Sequence, residues 1–429
     1  MKKNRTNRPP RTPRFPSGRP GSTQELTLLK IIFGARTALR EFVVGTGLQV
    51  FQALLEEDRT RLCGAKHAQS RDRDHYRHGK APGVAVLGGR KVRIDRPRVR
   101  TCDGREVELP TWAQFSQEDP LDERAVEQML LGVSTRRYEA SLEPLDGRVE
   151  STAISRSSVS RRFVAKTQSK VDEFLGRSLS AYDFPVIMLD GTHLGEHMLV
   201  VALGLDTTGK KHVLGVVEGT TESEGVCVGL MRSLIDRGLV VERARLFVID
   251  GGKGIRKAIR EVFGQWALVQ RCRVHKRRNV RDHVPDQKWS WIKAAMNKAW
   301  GCATSDEAKK KLRALATQLE RDHPGAAASI REGLDETATV IDFKLTGALL
   351  KSLATTNPIE NLQGSLKRTT RNVKRWKGGG MVLRWGATAL MGAEKSFRRV
   401  KGHKEMPSFL TALDAQVKKV RLDKQEKAA

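Results

Sequence analysis

Between Phe184 and Gln270 apolar runs and turn signals alternate in an order that few folds satisfy. Pro185-Val-Ile-Met-Leu-Asp190 is an apolar run that ends in a carboxylate. HMLVVALGLD (197–206) and HVLGVVEGT (212–220) are rich in β-formers and are joined through Asp206-Thr207-Thr208-Gly209, a hairpin signal. An amphipathic helix follows, with Val226, Leu230, Leu234 and Ile235 on one side. Next come a strand ending at Asp250 (Arg245–Asp250), a helix over Lys253–Phe263 and a short strand over Trp266–Gln270. The order is β, β, β, α, β, α, β, with acids closing the first and fourth strands.

The charge balance says what such a core would meet. Lys and Arg number 78 against 49 Asp and Glu, a formal charge of +29. Self-repulsion of that size makes sense if a polyanion is the normal partner. Apolar residues make up 39% of the 429 positions, enough for real cores and for more than one domain. No run nears the roughly 18 apolar residues of a membrane helix, and no secretory signal opens the chain. Five scattered cysteines (Cys63, Cys102, Cys227, Cys272, Cys302) do not suggest a disulfide framework. The expectation is a soluble protein of a reducing compartment.

Residues 1–22 carry seven Lys or Arg, five prolines and no acid, which reads as a disordered arm able to follow DNA phosphates or to act as a solvated tail. Helical apolar spacing runs over 24–60, a small β-unit over 83–112, and helix again over 121–178. Within the last, Ser151–Phe163 presents Arg156, Arg161 and Arg162 behind Ser and Thr caps, which suggests a helix-turn-helix. Residues 285–350 are strongly helical. Trp289, Ile292, Met296 and Trp300 share a face there, and Thr304 with Glu307 fits a capping box. Basic helices are expected from Pro358 onward.

Cutting or joining DNA without a covalent enzyme intermediate needs an activated oxygen nucleophile and a stabilised leaving oxygen. Two Mg²⁺ ions about 3.5–4 Å apart supply both, and such hard cations prefer oxygen ligands. Converging carboxylates on rigid elements would hold them. Asp190 precedes Gly191-Thr192, and a strand-end Asp that caps a turn is the plainer alternative. A phosphatase of the haloacid dehalogenase type would need a nucleophilic Asp where Met188 stands. Asp250 precedes Gly-Gly-Lys-Gly, but Ile255 follows Gly254, which rules out a P-loop and leaves a helix cap as the plain reading. Asn357-Pro358-Ile359-Glu360 reads as a helix start with Asn357 at the N-cap. At about 3.6 residues per turn, Glu360, Gly364, Lys367 and Arg371 fall on one face, Ile359, Leu362 and Leu366 on another.

Together MLDGTHL, FVIDGGKGIRKAI, QRCRVHKRRNV and TTNPIENLQGSLKRTTRNVKRW resemble the catalytic core of the Mutator-type transposases of bacterial insertion sequences, over about residues 75–400. The resemblance implies an α/β protein with a ribonuclease H-like mixed sheet and a helical insertion, preceded by a mainly helical DNA-binding region with a small β-unit. It implies an Asp-Asp-Glu triad of Asp190, Asp250 and Glu360, both catalytic and metal-binding, with Lys367 as the family's basic residue seven positions after the Glu. Cys272 and His275 match a Cys-x-x-His pair, for which we expect a structural or positioning role. Cys63, His67, His75 and His78 would complete a zinc site only through a particular fold. The domains expected are a basic arm (1–22), a helical region with the β-unit (23–120), a second helical region (121–180), the catalytic domain (181–284 with 351–400), the insertion (285–350) and a basic tail (401–429).

The function expected is cleavage of insertion-element ends and joining of the 3′-hydroxyl to target DNA, with Mg²⁺, or Mn²⁺ in its place, as cofactor. Lys367, Arg368 and Arg371, with Arg271, Arg273, Lys276, Arg277, Arg278 and Arg281, would hold phosphates; those last six lie within eleven residues. Partners are double-stranded DNA and further copies of the chain, as a homodimer or larger assembly, in a bacterial cytoplasm at the nucleoid. A silent DNA-binding regulator of the same fold and a metal-dependent nuclease without joining activity are the alternatives.

Overall fold

A computed structural model describes residues 45–67, 73–87, 89–117, 122–142 and 150–428. The basic arm and the start of the first helical stretch lie outside the described residues. The chain divides into two compact units, one reaching to residue 122 and including 136–156, the other comprising 123–135 and everything from 157.

In the first unit, helix α1 (45–63) buries Leu48, Phe51 and Leu55. Strands β1 (His75–Leu87) and β2 (Arg90–Thr101) pair antiparallel from His75–Thr101 to Leu87–Arg90, with a bulge between Arg77 and Lys80. Alternation sets which face is covered: Val92, Ile94 and Val99 are buried while Lys91, Arg93 and Asp95 are exposed. A two-residue strand β3 (Glu106–Val107) and helix α2 (Pro110–Gln117) complete the layer, and Phe115 stacks on Phe51 at 4.4 Å between ring centroids.

The helix-turn-helix expected over Ser151–Phe163 is not what forms. Strand β4 (Ser151–Ala153) pairs with Arg90–Val92 of β2, and the following helix starts only at Arg156. That helix, α4 (Arg156–Gly176), is 21 residues long because Val159, Phe163, Thr167, Val171 and Phe174 recur every three or four positions and are buried. Its length serves a core; Arg156 and Arg161 remain exposed.

The second unit is built on a mixed sheet of β5 (Val186–Leu194), β6 (His197–Leu205), β7 (Lys211–Gly219), β8 (Arg245–Ile249) and β9 (Ala267–Arg271), in spatial order β7-β6-β5-β8-β9. β5, β6 and β7 are antiparallel neighbours, while β5, β8 and β9 run parallel. The Asp206 turn between β6 and β7 forms as its sequence signals. The Asp206 carboxylate accepts hydrogen bonds from the Thr208 and Lys210 amides at 2.8 and 3.0 Å.

Both faces of this sheet are covered, so its central strands read as continuous apolar runs. Val186 and Met188 of β5, with Leu246 and Val248 of β8, face one cluster; Ile187, Leu189, Phe247 and Ile249 face the other. Helices α5 (Glu224–Asp236) and α6 (Lys253–Phe263) close the second face. The first takes α4, α11 (Gly347–Leu353), α12 (Asn357–Thr370), α13 (Gly379–Glu394) and α14 (Met406–Ala428). The short helix α3 (Asp122–Leu130) adds Val126 against Phe163 and Trp385. By strand parity, Asp190 and Asp250 belong to the face that carries α12.

Between β9 and α11 the chain forms α7 (Arg273–Arg281), α8 (Asp286–Trp300), α9 (Ser305–Leu319) and α10 (Pro324–Arg331). Their apolar faces build a separate cluster of Val280, Ile292, Met296, Trp300, Leu312, Leu319 and Ile330. Trp289 packs against it, whereas Trp291 is 40% exposed. The Thr304 hydroxyl accepts from the Glu307 amide at 3.3 Å, the cap its sequence calls for.

The C-terminal residues are not a tail. Met406, Phe409, Leu413 and Val417 of α14 are buried in the same cluster as β5 and β8, and Phe409 meets Phe343 edge-on at 5.2 Å. The basic composition of 401–429 masks an apolar stripe at positions 1, 4, 8 and 12 of that helix.

Candidate active site

The parallel register of β5 and β8 ends with Leu189 opposite Ile249. Asp190, in the middle of β5, and Asp250, the residue just past β8, come next, so the two carboxylates lie on neighbouring strands. The first strand does not close at Asp190 as its apolar run suggests: pairing with β6 carries β5 on to Leu194. Asp190 is 6% exposed. Burial, then the Asp250 and Glu222 charges, push its carboxyl up to about 7. One oxygen of Asp250 accepts the Gly252 amide at 2.9 Å, so the plain capping role is present beside the charged one. The Arg271 guanidinium steadies the same loop from below, donating to the Asp250 carbonyl at 3.4 Å.

Glu360 comes from α12 and is held by a polar relay. The Thr356 hydroxyl lies 3.0 Å from Glu360 Oε1, 3.2 Å from Cys272 Sγ and 3.3 Å from His275 Nδ1, and its one proton serves a single acceptor at a time. The Thr356 amide donates to Cys272 Sγ at 3.3 Å. His275 Nε2 sits 3.7 Å from Glu360 Oε1. Burial raises the Cys272 thiol, but hydrogen bonds with His275 and Thr356 outweigh it and hold the thiol below its ordinary range. The same bond to Cys272, with the Glu360 and Asp250 charges, raises His275.

This relay also corrects the helix start. Thr356, not Asn357, occupies the N-cap position, and Pro358 is the second helical residue. The Thr356 side chain makes no cap bond because Cys272, His275 and Glu360 engage it.

Asp190, Asp250, Glu360, His275, Arg278, Gly364 and Lys367 line one open cleft of about 470 Å³. Glu222 and Gln363 line it too, and neither is evident from the motifs. Gln363 donates to the Gly191 carbonyl at 3.2 Å and so ties α12 to the middle of β5. Glu222 lies between β7 and α5, one residue before the helix cap Ser223. The available signal was positional: it is an acid just past the third strand, on the loop leading back beside the first.

The basic residues divide. Lys367, Arg368 and Arg371 are exposed along α12, and Arg278 and Arg281 are exposed on α7, with Arg277 half-buried. Arg271, Arg273 and Lys276 turn inward, against the expectation that they hold phosphates. Arg271 pairs with Glu332 at 3.1 Å, Arg273 donates to the Thr337 carbonyl at 3.0 Å, and Lys276 donates to the Ser329 and Glu332 carbonyls at 2.5 Å each. Burial pushes Lys276 down to about 7. Arg271 ties β9, and Arg273 and Lys276 tie α7, to the end of α10 and the turn that follows it, where carbonyls are left free by the helix end. Cys272, His275 and Glu360 bring one ligand atom each within 4.8 Å of one another, so the partner of the Cys-x-x-His pair is Glu360.

An acidic cleft over the parallel strands β5 and β8 of a mixed sheet, rimmed by exposed cations, marks an α/β protein with clustered carboxylates. A family profile described as Transposase, Mutator family matches residues 26–399, and the chain belongs to that family. It is similar to the transposase for insertion sequence element IS6120 of Mycolicibacterium smegmatis, 29% identical over 57% of this chain and 75% of that one. The transposase for ISRM5 of Rhizobium meliloti is 27% identical over 82% and 87%, and that for IS256 in transposon Tn4001 of Staphylococcus aureus 25% over 76% and 83%. No described helix is long and apolar enough to cross a membrane.

Proposed function

We propose that this insertion-sequence transposase cleaves element ends and joins them to target DNA at one site formed by Asp190, Asp250 and Glu360. The observation that carries the reading is the register of β5 and β8, which brings Asp190 and Asp250 together on the face covered by α12. Strand order β7-β6-β5-β8-β9, three antiparallel then two parallel, supports a ribonuclease H-like sheet.

The donor set fits divalent cations. It is all oxygen, as Mg²⁺ or Mn²⁺ requires, and Asp190 is a desolvated acid among like charges. Asp190, Asp250 and Glu360 would hold the ions, which when bound activate a nucleophilic oxygen and stabilise the leaving one. The protein's own groups do the positioning. Lys367 and Arg278, at the rim, engage the phosphates flanking the scissile bond. Thr356 and His275 fix the Glu360 carboxylate, which makes Cys272 and His275 positioning residues. Water adds at phosphorus and the strand's 3′-oxygen leaves as a hydroxyl; that hydroxyl then attacks a target phosphodiester at the same site, and the target strand's own 3′-oxygen leaves, taking up the proton the attacking hydroxyl gives up. Because two ends must be joined to one target, the working form is a dimer or larger assembly on DNA, in the bacterial cytoplasm.

Purified protein incubated with duplex element ends, a target plasmid and Mg²⁺ tests this. Cleavage and joined products are expected, both lost in Asp190→Asn, Asp250→Asn and Glu360→Gln while end binding persists. Near-normal cleavage by any one variant removes that residue from the triad, and cleavage without joining identifies a nuclease.

A further inference from the structure

The glycines beside the two aspartates share a neighbour. A Cβ on Gly191, the residue after Asp190, would run into Glu222 Oε1, and one on Gly252, two after Asp250, would lie 3.0 Å from Glu222 Oε2. A Cβ on Gly254 would strike the Glu222 backbone carbonyl. Three glycines from two separate motifs thus clear space for one glutamate. Among the described residues no Lys or Arg forms an ion pair with the Glu222 carboxylate. A simple helix-capping role does not explain the position, because Ser223 caps α5 and Glu224 supplies the acid of its first turn.

We propose that Glu222 is a fourth carboxylate of the metal centre, sharing an ion with Asp190 and Asp250 before DNA arrives. This rests on the two-metal reading of the site. Three carboxylates leave two divalent cations with one uncompensated positive charge, and four neutralise them without a phosphate. Gly191 and Gly252 leave room for the fourth ligand beside the two aspartates and keep a Cβ out of its way.

The test is Mn²⁺ binding to the DNA-free protein, read from the electron paramagnetic resonance of free Mn²⁺. Glu222→Gln is expected to weaken binding at least tenfold, with the metal-free melting temperature unchanged or raised by loss of like-charge repulsion. Glu222→Asp, which keeps the charge, recovers part of the affinity. Gly191→Ala keeps all four acids but pushes Glu222 aside, and it should reproduce the loss seen in Glu222→Gln even if that variant folds poorly. Wild-type Mn²⁺ affinity in Glu222→Gln or Gly191→Ala overturns the proposal while leaving the triad intact. Wild-type affinity in Asp190→Asn and Asp250→Asn as well overturns the metal reading itself.

Discussion

Arg271 grips the Asp250 carbonyl with Nε at 3.4 Å and Glu332 with both remaining nitrogens, its carbonyl at 3.0 Å and its carboxylate at 3.1 Å. Gly251 and Gly333, both at positive φ, admit the guanidinium, since a Cβ on either would collide with it. A core strand, a site loop and the inserted helices are therefore joined through one side chain. Lysine reaches with a single point charge and cannot span three acceptors in fixed directions. Arg271→Lys should lower stability by about 1–3 kcal/mol and slow cleavage by more than the loss of folded protein accounts for. Equal loss of stability and activity, measured by denaturant melts beside single-turnover cleavage, would show that Asp250 does not need this brace.

Asp190 makes the metal-free protein pH-dependent. Its carboxyl titrates at about 7 in the fold against the ordinary 3.8. The folded state therefore holds a proton that the unfolded chain has released over that range. Stability from this group is complete below about pH 4 and is lost as pH rises through about 7. In chelator, the melting temperature should fall over that window, and Asp190→Asn should flatten the curve. Mg²⁺ competes with the same proton, so its affinity should rise with pH until about 7.

Two tryptophans of α8 should behave oppositely. Trp300 is buried, donates to Thr337 Oγ1 at 3.2 Å and lies under the Arg273 guanidinium at 5.4 Å. Trp300→Ala should cost about 3–5 kcal/mol. Trp291→Ala should leave the melting temperature nearly unchanged but slow cleavage or joining, because an exposed ring can stack on an unpaired base for about 1–3 kcal/mol. A several-degree loss of stability with normal activity per folded molecule would remove Trp291 from DNA contact.

Salt titration separates the rim from the interior. If Lys367 neutralises a phosphate, Lys367→Ala reduces the slope of log affinity against log salt by about 1. Lys276→Met should leave that slope unchanged, because its ammonium is spent on the Ser329 and Glu332 carbonyls. An altered slope in Lys276→Met would mean the buried lysine reaches DNA after all.

Period and punctuation made the sheet legible. Every strand from Val186 to Arg271 contains a short apolar run, but the end of β5 was not legible, because pairing with β6 carries it past Asp190 through Gly191-Thr192-His193 to Leu194. Orientation around α7 was not legible, because a helix with cations on every face gives no periodic contrast; only the carbonyls of Ser329, Glu332 and Thr337 decide which ones turn inward. Glu222 was hidden for a related reason. Its meaning depends on the glycines at 191, 252 and 254, which are remote in sequence and come together only when β5, β8 and α5 assemble. The same holds for α14, where four apolar residues among many charges become a core face only against Phe343 and the sheet.

That last helix sets how the gene tolerates shortening. A stop codon before Met406 would delete Phe409, Leu413 and Val417 from the cluster that contains β5 and β8. The product would carry every acid of the cleft yet expose the greasy underside of the sheet that aligns them. Such an allele should behave as an aggregating null rather than a DNA-binding competitor. A fluorescent tag fused after Ala429 should be harmless, while one inserted at Lys404 should abolish soluble expression.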